Sequence, residues 1–216
     1  GKGIFPPKGS GLIEEDLLED RWKNLISAIH TTGEITKRNI DMKELEGEFY
    51  FGENNLILIE IGSLKYKTLM NGWLNHLYLS ANSSFNSKTI IISKKTNYSK
   101  KINFEVTKEI LPINTQEATK TLNEINLIAV EGRKNCWPIP PESGLAYALA
   151  TNDQKKNEQD LFQKKWEGDL YMKGERETLT MELCFGKECK SSTFLDDESF
   201  NDILMSLYKP ILKNSN

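Results

Sequence analysis

The chain has 216 residues, of which 38% are hydrophobic, and a formal net charge of −3 at pH 7. This length suits one large domain or two small ones, and no apolar stretch reaches the ~20 residues that a membrane-spanning helix needs. A slightly negative chain lacks an overall polyanion-binding surface, so any contact with nucleic acid must come from a local basic patch.

The cysteines indicate neither a disulfide framework nor a metal site. Their number is odd, and they are Cys136, Cys184 and Cys189. Cys184 and Cys189 have no further Cys or His nearby in the sequence, whereas a zinc site needs four ligands in a compact set. We therefore expect reduced thiols, a cytoplasmic protein and no metal or other cofactor.

The order of the predicted elements gives an α/β fold, a mixed β-sheet flanked by helices. Leu18, Trp22 and Leu25 recur at helical spacing, so the first element is a helix over residues 11–30, which Gly33 ends. Two apolar runs then flank a turn and predict a strand pair over residues 45–61. The later predicted elements are a helix over 68–81, strands over 88–93 and 101–106, a helix over 115–130, a short helix over 144–150 capped by Ser143, a charged helix over 153–167, and a last helix over 200–208 ended by Pro210.

The helix over 68–81 carries two adjacent apolar rows, so we expect it to pack on more than one side. Trp73 shares a row with Leu77, and both are predicted to be core residues together with Phe49 of the strand pair. His76 lies beside the rows and has no evident nucleophile or orienting carboxylate. We predict a histidine on the helix surface or at an interface, hydrogen-bonded to a neighbour.

Five short segments, in register, resemble the C-terminal domain of RecC, the gamma subunit of exodeoxyribonuclease V. They are LEG at 45–47, NGWLNHLYLSA at 71–81, PPESG at 140–144, WEG at 166–168 and GE at 174–175. The resemblance extends from about residue 3 to residue 212. RecC-type proteins carry two helicase-like domains before this one, and the chain lacks them. We therefore expect an excised C-terminal fragment that forms a single domain over 1–216, with a helical extension over 140–216.

The resemblance implies a restriction-endonuclease-like (PD-(D/E)XK-type) fold whose active site is degenerate. Such a site needs an Asp near the end of the first strand, then an acidic residue, one intervening residue and a Lys on the second strand, so that carboxylates hold a metal and the lysine helps activate water. The corresponding positions here hold Tyr50, Glu60 and Gly62. Because one carboxylate alone binds Mg²⁺ poorly, the resemblance implies a domain without catalysis of its own.

The implied role is that of a non-catalytic scaffold that guides DNA within a RecBCD-type helicase–nuclease, in double-strand-break repair and recombination. Its partners would be RecB- and RecD-type subunits, which carry the catalysis, and DNA. One alternative is a free-standing metal-dependent nuclease with a relocated site, and another is a protein-interaction module with no DNA role. The relocated site would draw on Glu46, Glu48, Glu60, Lys65 and Lys67, which otherwise are solvated charges at a sheet edge.

One loop is a candidate for DNA binding, because it holds an aromatic side chain among four lysines. Its candidate residues are Lys94, Lys95, Tyr98, Lys100 and Lys101. Lysines that track phosphates, with a ring on which a base stacks, suit single strands or a duplex backbone. The alternative is a solvated hairpin tip.

A second set of residues is a candidate partner interface, because it places large apolar side chains on and around an otherwise charged helix. The candidates are Trp137, Phe162, Trp166, Tyr171 and Met172. Interfaces favour aromatic residues and Met at their centres. The alternative is that these side chains hold the C-terminal helices onto the core, because an apolar pair on a charged helix must be covered.

Overall fold

The computed structural model describes residues 9–42, 45–95, 102–135, 139–151, 157–170 and 172–216. The chain divides into two compact units. The first unit comprises Gly1–Gly72 and Ser87–Pro112, and the second comprises Trp73–Asn86 and Ile113–Asn216. The single domain over 1–216 that the resemblance implies stays a prediction.

The first unit contains a five-stranded mixed sheet with the strand order β1-β2-β3-β4-β5. All neighbouring strands are antiparallel except β3 and β4, which are parallel. Parallel neighbours need a crossover connection, and helix α2 (Tyr66–Asn82) lies in the connection between them. The strands are β1 (Ile35–Met42), β2 (Leu45–Gly52), β3 (Asn55–Ser63), β4 (Thr89–Lys94) and β5 (Phe104–Ile110). The predicted class, an α/β fold with a mixed sheet flanked by helices, is confirmed.

The predicted strand pair is the β2–β3 hairpin. Glu53 begins its tight turn with a φ of 56°, the left-handed conformation that two-residue hairpin turns require. The two strands are paired only from Gly52↔Asn55 to Tyr50↔Ile57. Strand β1, which pairs with β2 along its whole length, was not predicted, because its run ITKRNIDM has few apolar residues.

Helices cover the two faces of this sheet. Helix α1 (Gly9–His30) packs Leu25 and Ala28 against a cluster that contains Ile57 and Ile92. On the other face, a Cβ added to Gly72 of α2 would lie 3.3 Å from Ile91 and 3.8 Å from Leu58. Because successive strand residues point to opposite faces, residues of β3 up to Glu60 with odd numbers face α1 and those with even numbers face α2. The register against β4 shifts between Glu60 and Ser63.

The second unit is helical in the part that the structure describes. Its helices after α2 are α3 (Thr115–Asn135), α4 (Pro141–Thr151), α5 (Glu158–Glu167), α6 (Leu179–Phe185), α7 (Ser192–Leu195) and α8 (Glu198–Lys213), with a 3-10 turn at Glu175–Glu177. Phe162, Trp166, Phe194 and Phe200 form its aromatic core, in which the Trp166 and Phe194 rings meet edge to face with centroids 5.0 Å apart. Among the described residues, no helix is long and apolar enough to cross a membrane.

Several predicted helix boundaries differ from those observed; for example, the helix predicted over 115–130 extends to Asn135. Two of the differences involve a proline. Helix α8 does not end at Pro210 but continues through it to Lys213. Proline removes one helical hydrogen bond, and burial of Ile211 and Tyr208, both 0% exposed, favours the continued helix. Ser143 does not cap α4, because the helix already begins at Pro141, where proline's fixed φ suits a first turn.

Two predictions about buried residues need correction. Trp73 and Leu77 are fully buried as predicted, but Phe49 is only half-buried, because β2 separates from β3 beyond Tyr50. His76 is not on the helix surface but 0% exposed. Its ring lies parallel to that of Trp73, with centroids 6.2 Å apart, and edge-on to Phe85 at 5.5 Å. It is therefore an aromatic component of the core.

Candidate functional site

Glu60, near the end of β3, is the acidic residue of the predicted degenerate site. The Thr68 hydroxyl, in the first turn of α2, donates to its Oε2, and the Gly62 amide donates to its Oε1 at 3.3 Å. The bond from Thr68 lowers the pKa of Glu60 below its ordinary value; burial opposes this, and the Gly62 amide and the Lys65 charge add to the lowering. Glu60 is therefore held as a charged carboxylate by local donors.

Gly62 lies two residues further along β3, next to the Glu60 carboxylate to which its amide donates. A Cβ added to Gly62 would lie 3.6 Å from Glu60 Oε1, and no other described atom lies within 4 Å of it. There is space for a Cβ at this position, next to the carboxylate, but the residue is a glycine and supplies no cation.

Tyr50 lies on the other face of the sheet. It pairs with Ile57, which faces α1, whereas Glu60 faces α2. Its side chain is 47% exposed. The structure thus brings Glu60 and Gly62 together but does not bring Tyr50 to them, a separation that the sequence spacing did not indicate.

The acidic residues of the alternative, relocated site are also divided between faces. Glu46 and Glu48 alternate with the half-buried Phe49 and share the face of Tyr50. Glu48 forms an ion pair with Lys37 of β1 and is not directed toward Glu60. Within the described ranges, no three His, Cys, Asp or Glu side chains are arranged to hold a metal ion.

The DNA-binding candidates lie partly outside the described residues. Lys94 is half-buried at the end of β4, where it pairs with Phe104. The Lys95 Nζ forms an ion pair with Glu105 Oε2 at 2.8 Å, which neutralises part of the loop's charge. Tyr98, Lys100 and Lys101 lie outside the described residues.

Of the partner-interface candidates, Phe162 and Trp166 are 0% exposed. The Trp166 Nε1 donates to the Cys189 carbonyl at 2.9 Å. For these two side chains the structure gives the alternative arrangement, in which they hold the C-terminal helices together. Met172 is 59% exposed, and Trp137 and Tyr171 lie outside the described residues.

Three of the five segments that carry the resemblance meet in the second unit. Glu175 Oε2 accepts hydrogen bonds from the Ser143 amide at 2.7 Å and hydroxyl at 2.6 Å, and its Oε1 accepts from the Glu142 amide at 3.0 Å. The carboxylate thus caps the N-terminus of α4. Gly174 packs directly on the Trp166 carbonyl, leaving no space for a side chain. Sequence reasoning missed these contacts, because Glu175 follows Ser143 by 32 residues and no local pattern signals the pairing.

Residues 1–152 match the family defined by the RecC C-terminal domain. The chain belongs to the RecC C-terminal domain family. The match covers the whole first unit and extends through α4. It includes the resembling segments at 45–47, 71–81 and 140–144; those at 166–168 and 174–175 lie beyond it. No curated protein matches the chain significantly.

Membership of the RecC C-terminal domain family indicates the kind of complex in which the chain acts. RecC is a subunit of exodeoxyribonuclease V, the RecBCD complex of DNA repair, so a RecC-type domain has a RecC-related role in such a complex. The contacts of Glu175, which lies beyond the matched residues, are explained by helix capping, and those of Gly174 by close backbone packing. The positions of a nuclease site, by contrast, are divided between two faces of the sheet.

Proposed function

We propose that this RecC domain is a non-catalytic scaffold that docks RecB- and RecD-type subunits and guides DNA, on a restriction-endonuclease-like fold that has lost its active site. The observation that carries the proposal is the separation of Tyr50 from Glu60 on opposite faces of the sheet. Metal-dependent cleavage needs carboxylates converging on one ion. With Gly62 in place of the lysine, neither the metal ligands nor the cation is assembled.

The restriction-endonuclease-like fold is supported by the architecture of the first unit. A hairpin, β2–β3, leads through α2 into a parallel strand, β4, and β2 and β3 separate where Glu60 lies. This separation leaves the Glu60 carboxylate at an open end of the sheet.

The DNA-guiding role is supported by the lysines clustered from Lys94 to Lys101, with Tyr98 among them. Phosphate contacts by lysine position a strand without reading its sequence, which is what a guiding surface requires. The docking role is supported by exposed apolar side chains close in sequence to the aromatic core: Leu170 and Met172 are 96% and 59% exposed. Cytoplasmic localisation fits the free thiols of Cys184 and Cys189.

A nuclease assay tests the absence of catalysis. The purified chain is incubated with Mg²⁺ or Mn²⁺ and with single- or double-stranded DNA, and we expect no cleavage above a no-protein control. Gly62→Lys, which restores the cation beside Glu60, is expected to remain inactive, because no carboxylate from β2 shares that face.

The matched controls are Glu60→Ala and Lys65→Ala. Metal-dependent cleavage by the wild-type chain that disappears in either variant would overturn the proposal and establish the relocated nuclease site. Co-purification with RecB- and RecD-type subunits tests the scaffold role separately, and failure to assemble with either would contradict it.

A further inference from the structure

Strand β3 presents unpaired backbone groups beyond the point where β2 leaves it. The Leu56 amide donates to the Lys88 carbonyl at 3.0 Å, on the side of β4. Because the backbone groups of successive strand residues point alternately to the two neighbouring strands, those of Ile57 and Ile59 point to the side of β2. β2 pairs with β3 only as far as Tyr50↔Ile57. Among the described strands, the amide and carbonyl of Ile59 therefore have no partner.

Strand β2 is open in the same way on the side of β3. Continuing the observed register would place Glu48 opposite Ile59, but that pair is not formed. β2 remains paired with β1 along its whole length. The two strands thus diverge, and the space between residues 45–49 of β2 and residues 58–63 of β3 is called the β2–β3 wedge.

The edge of β3 in the wedge is apolar. Exposed strand edges are usually protected by charged residues, a proline or a covering element. Here Ile59 and Ile61 are 43% and 76% exposed, and the one charged residue of the stretch, Glu60, is bonded to Thr68. Ile59 also lies in the regular part of β3, because the register against β4 shifts only after Glu60. Such an edge is suited to pairing with an added strand.

The backbone chemistry of the wedge favours one extended peptide segment over other occupants. The phosphates of DNA offer acceptors for the Ile59 amide but no donor for its carbonyl, whereas a peptide backbone offers both. A second copy would carry its own β3 edge behind its own β1–β2 ribbon, so the two ribbons would meet before the two edges. A single strand is thin enough to enter between β2 and β3.

We propose that the β2–β3 wedge binds an extended segment of a RecB- or RecD-type subunit, which adds to β3 as a further strand. Its backbone would exchange hydrogen bonds with the amide and carbonyl of Ile59, and an apolar side chain would pack beside the Ile59 side chain. The proposal rests on the proposed scaffold function, since the segment is taken to come from a subunit of the same complex.

Hydrogen exchange of the Ile59 amide tests the proposal in the assembled complex. The amide should exchange fast in the free chain and at least about tenfold more slowly when the chain is assembled with RecB- and RecD-type subunits. The matched control is the amide of Asn39, which is exposed on β1 and pairs with Glu48. Because the Glu48 backbone points to β3, that of Asn39 points away from the sheet, and its exchange should not change.

The possible outcomes separate this proposal from the scaffold function. Failure of the wild-type chain to assemble overturns both. Unchanged exchange of the Ile59 amide in an assembled complex overturns the wedge proposal alone, as does equal protection of Asn39. Protection of Ile59 by DNA without the subunits, or by a higher concentration of the free chain, also overturns it, because DNA or a second copy would then be the occupant.

A proline substitution provides the second measurement. Ile59→Pro removes an amide that points away from β4, so the bonds between β3 and β4 remain, as for prolines on edge strands. The affinity of the chain for the RecB- and RecD-type subunits should fall about tenfold or more in Ile59→Pro, and only about threefold in Ile59→Thr, which keeps the amide. Asn39→Pro should leave the affinity unchanged.

Equal losses in Ile59→Pro and Ile59→Thr overturn strand addition, because a side-chain contact would then account for the binding. Unchanged affinity of a folded Ile59→Pro variant, or an equal loss in Asn39→Pro, overturns it as well. Thermal unfolding of each variant shows whether it is folded. If Ile59→Pro does not fold, the hydrogen exchange of the wild-type chain decides.

Discussion

At the scale of single residues, two carboxylates are held in place by hydrogen-bond donors. Glu60 is bound by Thr68 and Gly62, and Glu175 by Ser143 and Glu142. Charge-assisted bonds of this kind are stronger than those between neutral groups. The same carboxyl chemistry that would hold a metal in a nuclease here secures a strand end and a helix start.

The Glu60 contacts predict a pH dependence. Because Thr68 lowers the pKa of Glu60 below its ordinary value of 4.5, the ionised carboxylate stabilises the fold above that pH, and this contribution disappears as pH falls through the lowered pKa. Thr68→Val should raise the pKa of Glu60 toward the ordinary value in an NMR titration. Thr119→Val, which removes a hydroxyl bonded to a backbone carbonyl, is the control. Ordinary titration of Glu60 in the wild-type chain would contradict the described geometry.

Sequence reasoning found the residues whose neighbours are local. The apolar rows predicted Trp73 and Leu77 as core residues, and both are fully buried. It failed for His76, because no single-helix pattern shows that Trp73 and Phe85 enclose that ring. At the candidate site it identified Glu60 and Gly62 on one strand, but not that Tyr50 pairs with Ile57, since strand register decides the face.

At the scale of elements, backbone packing sets the connection between α5 and the 3-10 turn. Gly168 and Lys173 form an isolated antiparallel bridge, and the Gly174 backbone lies against the carbonyl of Trp166. The apolar periodicity that predicted α2 and α3 does not predict this connection. Two backbones that approach closely require a glycine, and that glycine is the only sequence feature that indicates the contact. Helix boundaries failed for a related reason at Pro210, where tertiary burial overrides propensity.

Two glycine substitutions distinguish the energetic cost of steric crowding from that of an unfavourable backbone conformation. Gly174→Ala should lower the free energy of unfolding by several kcal/mol, because its Cβ would meet backbone atoms of Trp166 and Glu167. Gly186→Ala should cost about 1–3 kcal/mol from conformation alone, because Gly186 has a φ of 80° and a ψ of 151°, a region that is essentially restricted to glycine, but no atom lies within 4 Å of its Cβ position. Denaturant unfolding of both variants measures the difference. Equal destabilisation would show that Gly174 is not tightly packed.

At the scale of the whole molecule, charge is unevenly placed. The net charge is only −3, yet the first half of α1 is acidic while the segment from Lys94 to Lys101 is basic. Composition alone predicted that DNA contact would need a local patch. It did not predict that Leu18 and Trp22 are exposed, since that depends on where α1 leaves the sheet.

The basic segment predicts salt-dependent DNA binding by the full chain. The affinity should fall with rising salt, and replacing Lys94, Lys95, Lys100 and Lys101 by Ala should flatten the log–log slope by about one unit for each phosphate that the variant no longer neutralises. Lys95 should contribute least, because Glu105 already pairs with it. Fluorescence anisotropy at several salt concentrations measures the slope. The control replaces Lys120, Lys134, Lys187 and Lys190, and an equal effect there would refute a localised DNA site.

The register of β2 against β3 also bears on evolutionary reversibility. The β2 residues next to Tyr50 on the face of Glu60 are Phe49, which is half-buried, and Phe51, which is buried. A lineage or a designer building a metal site on this sheet would need an acid at one of these positions as well as a lysine at 62. On the proposal that the domain is a non-catalytic scaffold, each change alone would bring no catalysis, and the acid would also have to replace a packed ring. Nuclease chemistry would then require a step that selection cannot take one substitution at a time.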